Sequence, residues 1–547
     1  MSAMFWVVFV YLGVTCYLGY LGYRHTRSAQ DYLIAGRKMH PAVMALSYGA
    51  TFISTSAIVG FGGAAAVFGM SLQWLTFLNV FVGILIAFVV FGGRTRRLGH
   101  QLDAHTFPEF LGRRYDSKFI QVFAGLAIFA FMPLYAGAVL IGAAKCVAPL
   151  LQIEYNTALF FFALIVFVYV FLGGLKAVMY TDAFQATVML AGMVLLLWMT
   201  YAMLGGVVPA HEALTAAADK VPPPLVAAGH QGWTRMPAFL SSQWWTVVST
   251  IILGVGIGVL AQPQLIVRFM TVKSQRELNR AVLPGGIFIL FMPGVAYTVG
   301  ALTNVYFLNK GMGPSIAAAK GDVEQIIPMF IAQALPSWFG ALFMVTLMAA
   351  AMSTASSQFH TMGAAMSRDV YERLRGGRGN SLLINRIGVF VVFVISLIIA
   401  WGLPRYFAAQ GEAIVARGTA IFFGLCAAAF LPAYLGALYS KRVTRAGAAA
   451  GIVAGFAAST FWLVFVHGAE SKPLLICQAL FGRPSLLGTL TPDGRKVVSD
   501  VVWGIRWADV DPLIVALPLS ILVTVLVTCL TRPQPGQPRV NGRMEQP

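Results

Sequence analysis

Two stretches of this chain crowd oxygen-bearing side chains into apolar surroundings. Residues 49–63, Gly-Ala-Thr-Phe-Ile-Ser-Thr-Ser-Ala-Ile-Val-Gly-Phe-Gly-Gly, carry four hydroxyls and four glycines. Residues 348–360 read Met-Ala-Ala-Ala-Met-Ser-Thr-Ala-Ser-Ser-Gln-Phe-His. At 100° per residue, Ala350, Ser353, Ser357 and His360 fall on one stripe of a helix, with Ser356 beside Ser353 and Thr354 on the adjoining side. Neither stretch holds a nucleophile with its base, or a cluster of metal-ligating histidines and cysteines. The chemistry such a pattern supports is coordination of a hard cation such as sodium, which needs several oxygens and accepts neutral ones when they converge. Hydroxyls alone are too few. A regular helix keeps its carbonyls for itself, whereas an interrupted one releases them, and the glycines of 49–63 weaken a helix there.

The elements that position these residues are membrane helices. The chain has 547 residues, 58% hydrophobic and 11% charged, more apolar surface than a soluble fold can hide. Apolar runs of about 20 residues or more occur thirteen times, at about 4–23, 42–69, 72–93, 119–150, 157–175, 180–205, 241–271, 281–308, 326–366, 382–403, 415–440, 446–466 and 511–531. The expected fold is therefore an all-α integral membrane protein. A net charge of +18 could suggest nucleic acid, but its placement excludes that. With residue 1 outside, 26 of the 38 basic residues fall on the cytoplasmic side, Arg268 among them, as the positive-inside rule requires. This places the chain in the cytoplasmic membrane, N-terminus outside and C-terminus inside. The first span lacks preceding basic residues and a small-residue cleavage pattern, so it reads as a retained anchor. The five cysteines are scattered and suggest no disulfide framework or metal site.

Two spans should be discontinuous near mid-membrane: the second, through 49–63, and the seventh, through Gly254-Val-Gly-Ile-Gly258 and Gln262-Pro-Gln264. They lie five spans apart and so cross in opposite directions, as the first helices of two inverted five-helix repeats would. Paired broken helices point to a transporter's binding site.

Several ordered motifs carry a family resemblance: Asp31-Tyr-Leu-Ile-Ala-Gly-Arg37, Phe107-Pro-Glu-Phe-Leu-Gly-Arg-Arg-Tyr115, Gly173-Gly-Leu-Lys-Ala-Val-Met-Tyr-Thr-Asp-Ala-Phe-Gln185, Gln262-Pro-Gln-Leu-Ile-Val-Arg-Phe269, Met352-Ser-Thr-Ala-Ser-Ser357 and Arg368-Asp-Val-Tyr371. Over most of its length the chain resembles the sodium:solute symporter family, whose members carry sugars, proline, pantothenate, sialic acid and monocarboxylates. The resemblance implies a leucine-transporter-like fold: a leading helix (1–23), repeat one (42–205), repeat two (241–440), two trailing helices (446–531) and a short polar cytoplasmic tail (532–547). It also implies a sodium site made by the carbonyls of Ala50, Ile53 and Ala350 and the hydroxyls of Ser353 and Thr354. A second sodium, present in some members, would lie between Asp182 and Ser353, Ser356 and Ser357; the alternative for Asp182 is a carboxylate capping the helix that begins after Thr181.

The solute is expected between the broken helices, near Thr51, Phe52, Ser54, Thr55, Ser56, Tyr135, Gln262 and Gln264. No arginine or lysine falls clearly at mid-depth, so the site reads as uncharged. It suits a small organic acid, with a monocarboxylate as the leading expectation and proline, another amino acid or pantothenate as alternatives. The partners are thus a small solute, sodium and the bilayer, with sodium as coupling ion and no organic cofactor. A sensor of the same solute is the alternative of a different class. An enzyme is not expected, since phosphate loops and nucleophile motifs are missing. Among the remaining polar residues, His360 reads as a packing residue, Trp244 and Trp245 as interface anchors, Glu109 with Arg113 and Arg114 as a loop ion pair, and Lys176 as a positive-inside charge.

Overall fold

The computed structural model describes residues 2–376, 381–407, 414–487, 489–490, 496–497, 501–502 and 505–532, and most of these are helical. The expected polar tail lies, beyond Arg532, outside the described residues. Among the described residues, eleven helices are long and apolar enough to cross a membrane. Two of them are double. Ser56–Gln101 has 46 residues and Tyr155–Met203 has 49, and at ~1.5 Å per residue each exceeds twice the ~30 Å of hydrocarbon. Each is interrupted at a glycine with positive φ, Gly69 (75°) and Gly174 (58°). A Cβ at Gly69 would lie 2.1 Å from the Trp233 carbonyl, and one at Gly174 2.6 Å from the Tyr32 carbonyl. Glycine is demanded there twice over, by conformation and by contact. Counted as two segments each, the double helices bring the total to the thirteen expected.

Both broken helices are present, and each breaks at one extended residue. Pro41–Phe52 stops at Ile53 (φ −90°, ψ 98°), and the chain resumes through a wide-turn helix, Ser56–Gly60, into Phe61–Phe68. Ser54 starts the new helix, its hydroxyl accepting from the Ser56 amide at 3.0 Å. In the second, Ser242–Trp245 and the wide-turn segment Thr246–Val255 lead to Gln262 (φ −74°, ψ 116°), after which Pro263–Phe269 continues. A residue before proline is pushed out of the helical region, and proline suits the first turn of the next helix. The glycines of both stretches stay helical. Their use is close packing: a Cβ on Gly63 would meet the Val323 carbonyl at 2.1 Å, and one on Gly258 would meet Phe423 Cβ at 2.6 Å. The breaks thus sit beside the glycine clusters rather than within them.

At the centre lies Ser337–Ala364, the helix of the polar stripe. Its most apolar window is 94% buried, so its hydroxyls face protein on every side. It packs on Lys118–Leu151, Tyr155–Met203, Ser381–Phe407 and the first broken helix. The leading helix Ser2–Arg24 leans on Tyr155–Met203, and the trailing helices Arg445–Phe461 and Pro512–Leu530 pair with each other. Between the spans, Glu109 joins Arg113 (2.6 Å) and Arg368 (3.1 Å). Arg114, expected in that cluster, instead donates to the carbonyls of Ala437 and Ser440, both at 3.0 Å. It points to the end of Ile414–Tyr439, where the last carbonyls of a helix lack amide partners.

Candidate functional site

The first break and the polar helix meet through oxygen. Ser353 Oγ donates to the Ala50 carbonyl at 2.9 Å and lies 3.1 Å from the Ala350 carbonyl. Thr354 Oγ1 lies 3.4 Å from the Ala50 carbonyl and 3.1 Å from that of Thr51. These carbonyls are available because the chain becomes extended at Ile53, so the amides of Ser54 and Thr55 no longer return to them. The hydroxyls of Ser353 and Thr354 thus share the Ala50 carbonyl, and Ser353 also reaches that of Ala350, which links four oxygens, all buried and none charged. Ile53 is the extended residue itself, also buried. Such a set of hard, neutral oxygens fits a sodium ion, which would take over acceptors now satisfied by hydroxyl donors.

Beside it, on the same helices, stands a charged cluster. Asp182 is 0% exposed and Arg268 1%, and their ion pair is 2.9 Å long. Ser47 donates to Asp182 Oδ2 at 2.8 Å, and Thr51 Oγ1 lies 3.2 Å from the same oxygen. Arg268 also donates to Ser47 (3.0 Å), Thr51 (2.5 Å), Ser357 (2.6 Å) and the Gln264 carbonyl. One guanidinium thus ties together the Pro41–Phe52 and Pro263–Phe269 halves of the two broken helices, the polar helix and Tyr155–Met203.

This arrangement corrects two sequence expectations. Arg268 is no loop charge, and a buried arginine does stand beside the expected solute region. Asp182 caps no helix start, because the interruption is at Gly174 and Asp182 lies two turns further on. Of the residues assigned to a second sodium, Ser356 is 3.5 Å from Asp182 Oδ1, Ser357 is bonded to Arg268 and Thr51, and Ser353 is turned to Ala50.

The expected solute residues divide. Thr51 faces the Arg268 cluster, and Thr55 is turned to the Val139 carbonyl at 3.2 Å. Phe52 and Tyr135 both flank Phe423, with ring centroids 6.1 and 5.5 Å away. Gln264 donates to Gln262 at 3.1 Å, and Gln262 to the Gly258 carbonyl at 3.3 Å. Three buried polar atoms near the breaks have no hydrogen-bond partner among the described residues: Tyr135 Oη, Ser56 Oγ and Gln264 Oε1. Buried polar groups are almost always bonded, so these are the ones with something left to hold. Three residues escaped sequence reasoning: Ser47, Arg268 and Phe423. The i, i+4 spacing of Ser47 to Thr51 and of Gln264 to Arg268 was a visible signal; Phe423 offered none, being one apolar residue among many.

The other residues named from the sequence have partners within the protein. His360 Nε2 is 2.9 Å from the Tyr32 carbonyl, and Lys176 binds Asp31 at 2.7 Å. Trp244 and Trp245 pack edge-on, 4.9 Å apart, at the start of the second broken helix.

Comparison with known proteins agrees with this architecture. The profile of the Sodium:solute symporter family matches residues 32–455. Sodium/proline symporter 2 of Staphylococcus saprophyticus is 28% identical over 487 residues, spanning 87% of this chain and 88% of the relative. The sodium/proline symporter of Staphylococcus aureus is 28% identical over 486 residues with the same coverage. Among solved structures, the substrate-bound outward-open state of a Na+-coupled sialic acid symporter superposes with a TM-score of 0.73 at 17% identity, covering 97% of this chain and 98% of that one. The protein belongs to the sodium:solute symporter family, a multi-pass membrane transporter with a leucine-transporter-like fold and sodium as its coupling ion.

Proposed function

We propose that this symporter imports a small zwitterionic amino acid of the proline type, driven by one sodium bound by the carbonyls of Ala50, Ile53 and Ala350 and the hydroxyls of Ser353 and Thr354. The observation that carries the ion assignment is the convergence of four neutral buried oxygens on a helix break. For the solute, the support is the absence of an unpaired charge among the assigned residues, since Asp182 and Arg268 neutralise each other. A net-neutral solute needs no counter-charge there. Its ammonium would have the free Gln264 Oε1 and the rings of Phe52, Tyr135 and Phe423 as acceptors. Its carboxylate would have the hydroxyls of Ser56 and Tyr135. The proline symporters among the relatives point the same way. The monocarboxylate expected from sequence would leave the acceptor side unused.

In this proposal the repeats are 42–205 and 241–440, residue 1 faces outside, and transport follows alternating access. Sodium draws the first broken helix onto the polar helix. Thr51 passes this on, because its carbonyl belongs to the sodium cluster while its hydroxyl belongs to the Arg268 cluster that ties the cytoplasmic side shut. Sodium shifts the equilibrium only by its differential affinity for the two states. A second sodium at Asp182, Ser353, Ser356 and Ser357 is the weaker reading, because the guanidinium already stands against that carboxylate.

The test is uptake of labelled L-proline into proteoliposomes under an inward sodium gradient, with competition by other amino acids and by small monocarboxylates. Sodium-dependent uptake competed by amino acids is expected. Sodium-dependent uptake of a monocarboxylate with no response to any amino acid would overturn the solute assignment and keep the ion site.

A further inference from the structure

A cavity of about 280 Å³ opens between membrane helices, away from the breaks. Its back wall is Gly418 and Ile421 of Ile414–Tyr439, a helix whose most apolar window is 89% buried. Its sides are Phe131 and Leu134 of Lys118–Leu151, Leu403 of Ser381–Phe407 and Val464 of the first trailing span. The last two belong to spans whose most apolar windows are only 33% buried, so both turn most of their surface to lipid and the mouth between them faces the bilayer. Gly418 closes the back, since a Cβ there would come 2.9 Å from that of Ala138 on Lys118–Leu151. Two short helices, Gly468–Leu474 and Ile476–Phe481, roof the cavity through Leu474 and Ile476. The chain after them is fastened to the end of the first trailing span: Ser485 Oγ donates to the Val466 carbonyl at 2.8 Å and the Leu486 amide to the Phe465 carbonyl at 2.7 Å. Leu474, Leu475, Ile476, Leu480 and Phe481 are nonetheless 42–66% exposed. Large apolar side chains exposed together on short helices mark a segment that lies in the membrane interface rather than in water.

We propose that this cavity is a lipid site, in which one acyl chain of a glycerolipid enters from the bilayer between Ser381–Phe407 and the first trailing span and packs on Ile421. The two charged residues at its edge are already engaged, because Glu470 pairs with His467 and the Arg417 charge acts on both. They leave the chain, not the charge of the headgroup, to decide binding. An apolar cavity of ~150 Å³ stays dry and takes up benzene. At about 280 Å³ this one has room for a length of chain, and filling it restores dispersion contacts that an empty space forfeits. Ile421 and Phe423 stand two residues apart and therefore on opposite sides of their helix, one lining the cavity and the other flanked by Phe52 and Tyr135. A chain bound there braces the back of the helix that bounds the expected solute region without entering that region. The site depends on neither the solute nor the sodium assignment.

The test is photolabelling of the full-length protein in phosphatidylcholine nanodiscs doped with a phosphatidylcholine that carries a diazirine on one acyl chain, read by mass spectrometry of the peptides. Insertion at the peptides holding Phe131, Leu134 and Ile421 is expected to exceed several-fold that at Trp198, which is 65% exposed on another span. It should also survive exchange into detergent before irradiation, which strips loosely held lipid. Val464→Trp and, separately, Leu403→Trp fill the mouth and should abolish labelling in the cavity while Trp198 labels as before, with thermal melts confirming that each variant is folded. A phosphatidylglycerol probe with the same chain should label equally. Labelling in the cavity no stronger than at Trp198, or unchanged in both folded variants, overturns the proposal. A strong preference for the anionic headgroup would overturn it too, by showing that charge holds the lipid. Displacement of the probe by oleate but not by unlabelled phosphatidylcholine would make the occupant a free fatty acid and overturn the glycerolipid assignment.

Discussion

Two oxygen-rich clusters join the same pair of helices, the first broken helix and the polar helix, and they are built on opposite principles. Around Ala50, Ala350, Ser353 and Thr354 every oxygen is neutral, and the hydrogen bonds are hydroxyl to carbonyl. Around Asp182 and Arg268 the charges are formal, and the guanidinium donates to five acceptors. The first cluster can exchange its hydroxyl donors for a cation at modest cost, because no charge has to be abandoned. The second already contains its cation covalently. A reversible ion site must leave something unsatisfied that the protein can tolerate in the ion's absence; a tie between helices must leave nothing. Thr51 belongs to both clusters, which is how one can report to the other.

The sharpest way to break this comparison is to remove the tethered cation. Arg268→Ala leaves Asp182 buried without its partner and is expected to cost about 3–5 kcal/mol of stability, seen as a large drop in thermal unfolding temperature. Asp182→Asn with Arg268→Gln should recover most of it. If Asp182→Asn alone keeps stability while making the sodium dependence of uptake less steep, the carboxylate serves an ion and the contrast between the clusters collapses.

Next in size are the neutral ligands. Removing one contact to a charged group costs about 1.5–3 kcal/mol, so Ser353→Ala or Thr354→Ala should raise the half-saturating sodium concentration about tenfold or more. Sodium-induced thermal stabilisation should shrink with it. Unchanged sodium activation in both variants would remove the site from these residues.

A third cluster sharpens the rule from the water side. Burial alone would push the Glu109 carboxyl up, but the hydrogen bond from His105 and the charges of Arg368 and Arg113 outweigh it and hold the group at about 2 against an ordinary 4.5. A depressed carboxylate contributes stability above its unfolded value and loses it as pH falls through the folded one. Glu109→Gln should therefore melt below the parent at neutral pH, and the gap should close as pH falls from 4.5 toward about 2. The smallest effect is expected at Tyr135, whose hydroxyl has no hydrogen-bond partner among the described residues. Tyr135→Phe should raise the KM for the solute a few-fold, a loss of about 0.5–1.5 kcal/mol, without lowering the unfolding temperature.

The charges show where sequence reading succeeds and where it stops. Thirteen apolar runs and two interrupted spans were legible because the bilayer sets the length of a helix, and glycine and proline act on their own neighbours. The second break was marked by Pro263, which pushes Gln262 out of the helical region; within 49–63 no local rule singled out Ile53 as the residue at which the chain turns extended. Glycine permits a break, but packing against Val323 and Phe423 kept Gly63 and Gly258 helical. Ser353 and Thr354 could be found from their spacing on one helix. Arg268 was misplaced because a charge near the end of an apolar run looks the same whether it points to water or inward.

What the sequence determined by itself is a helical membrane protein with paired broken spans and a hydroxyl-rich helix suited to a hard cation, since these follow from periodicity, hydropathy and local backbone chemistry. Only the tertiary structure decided which oxygens converge, that Asp182 is answered by Arg268, and which polar atoms at the breaks remain free. Those depend on contacts between residues tens to hundreds of positions apart, and no local rule of chain chemistry contains them.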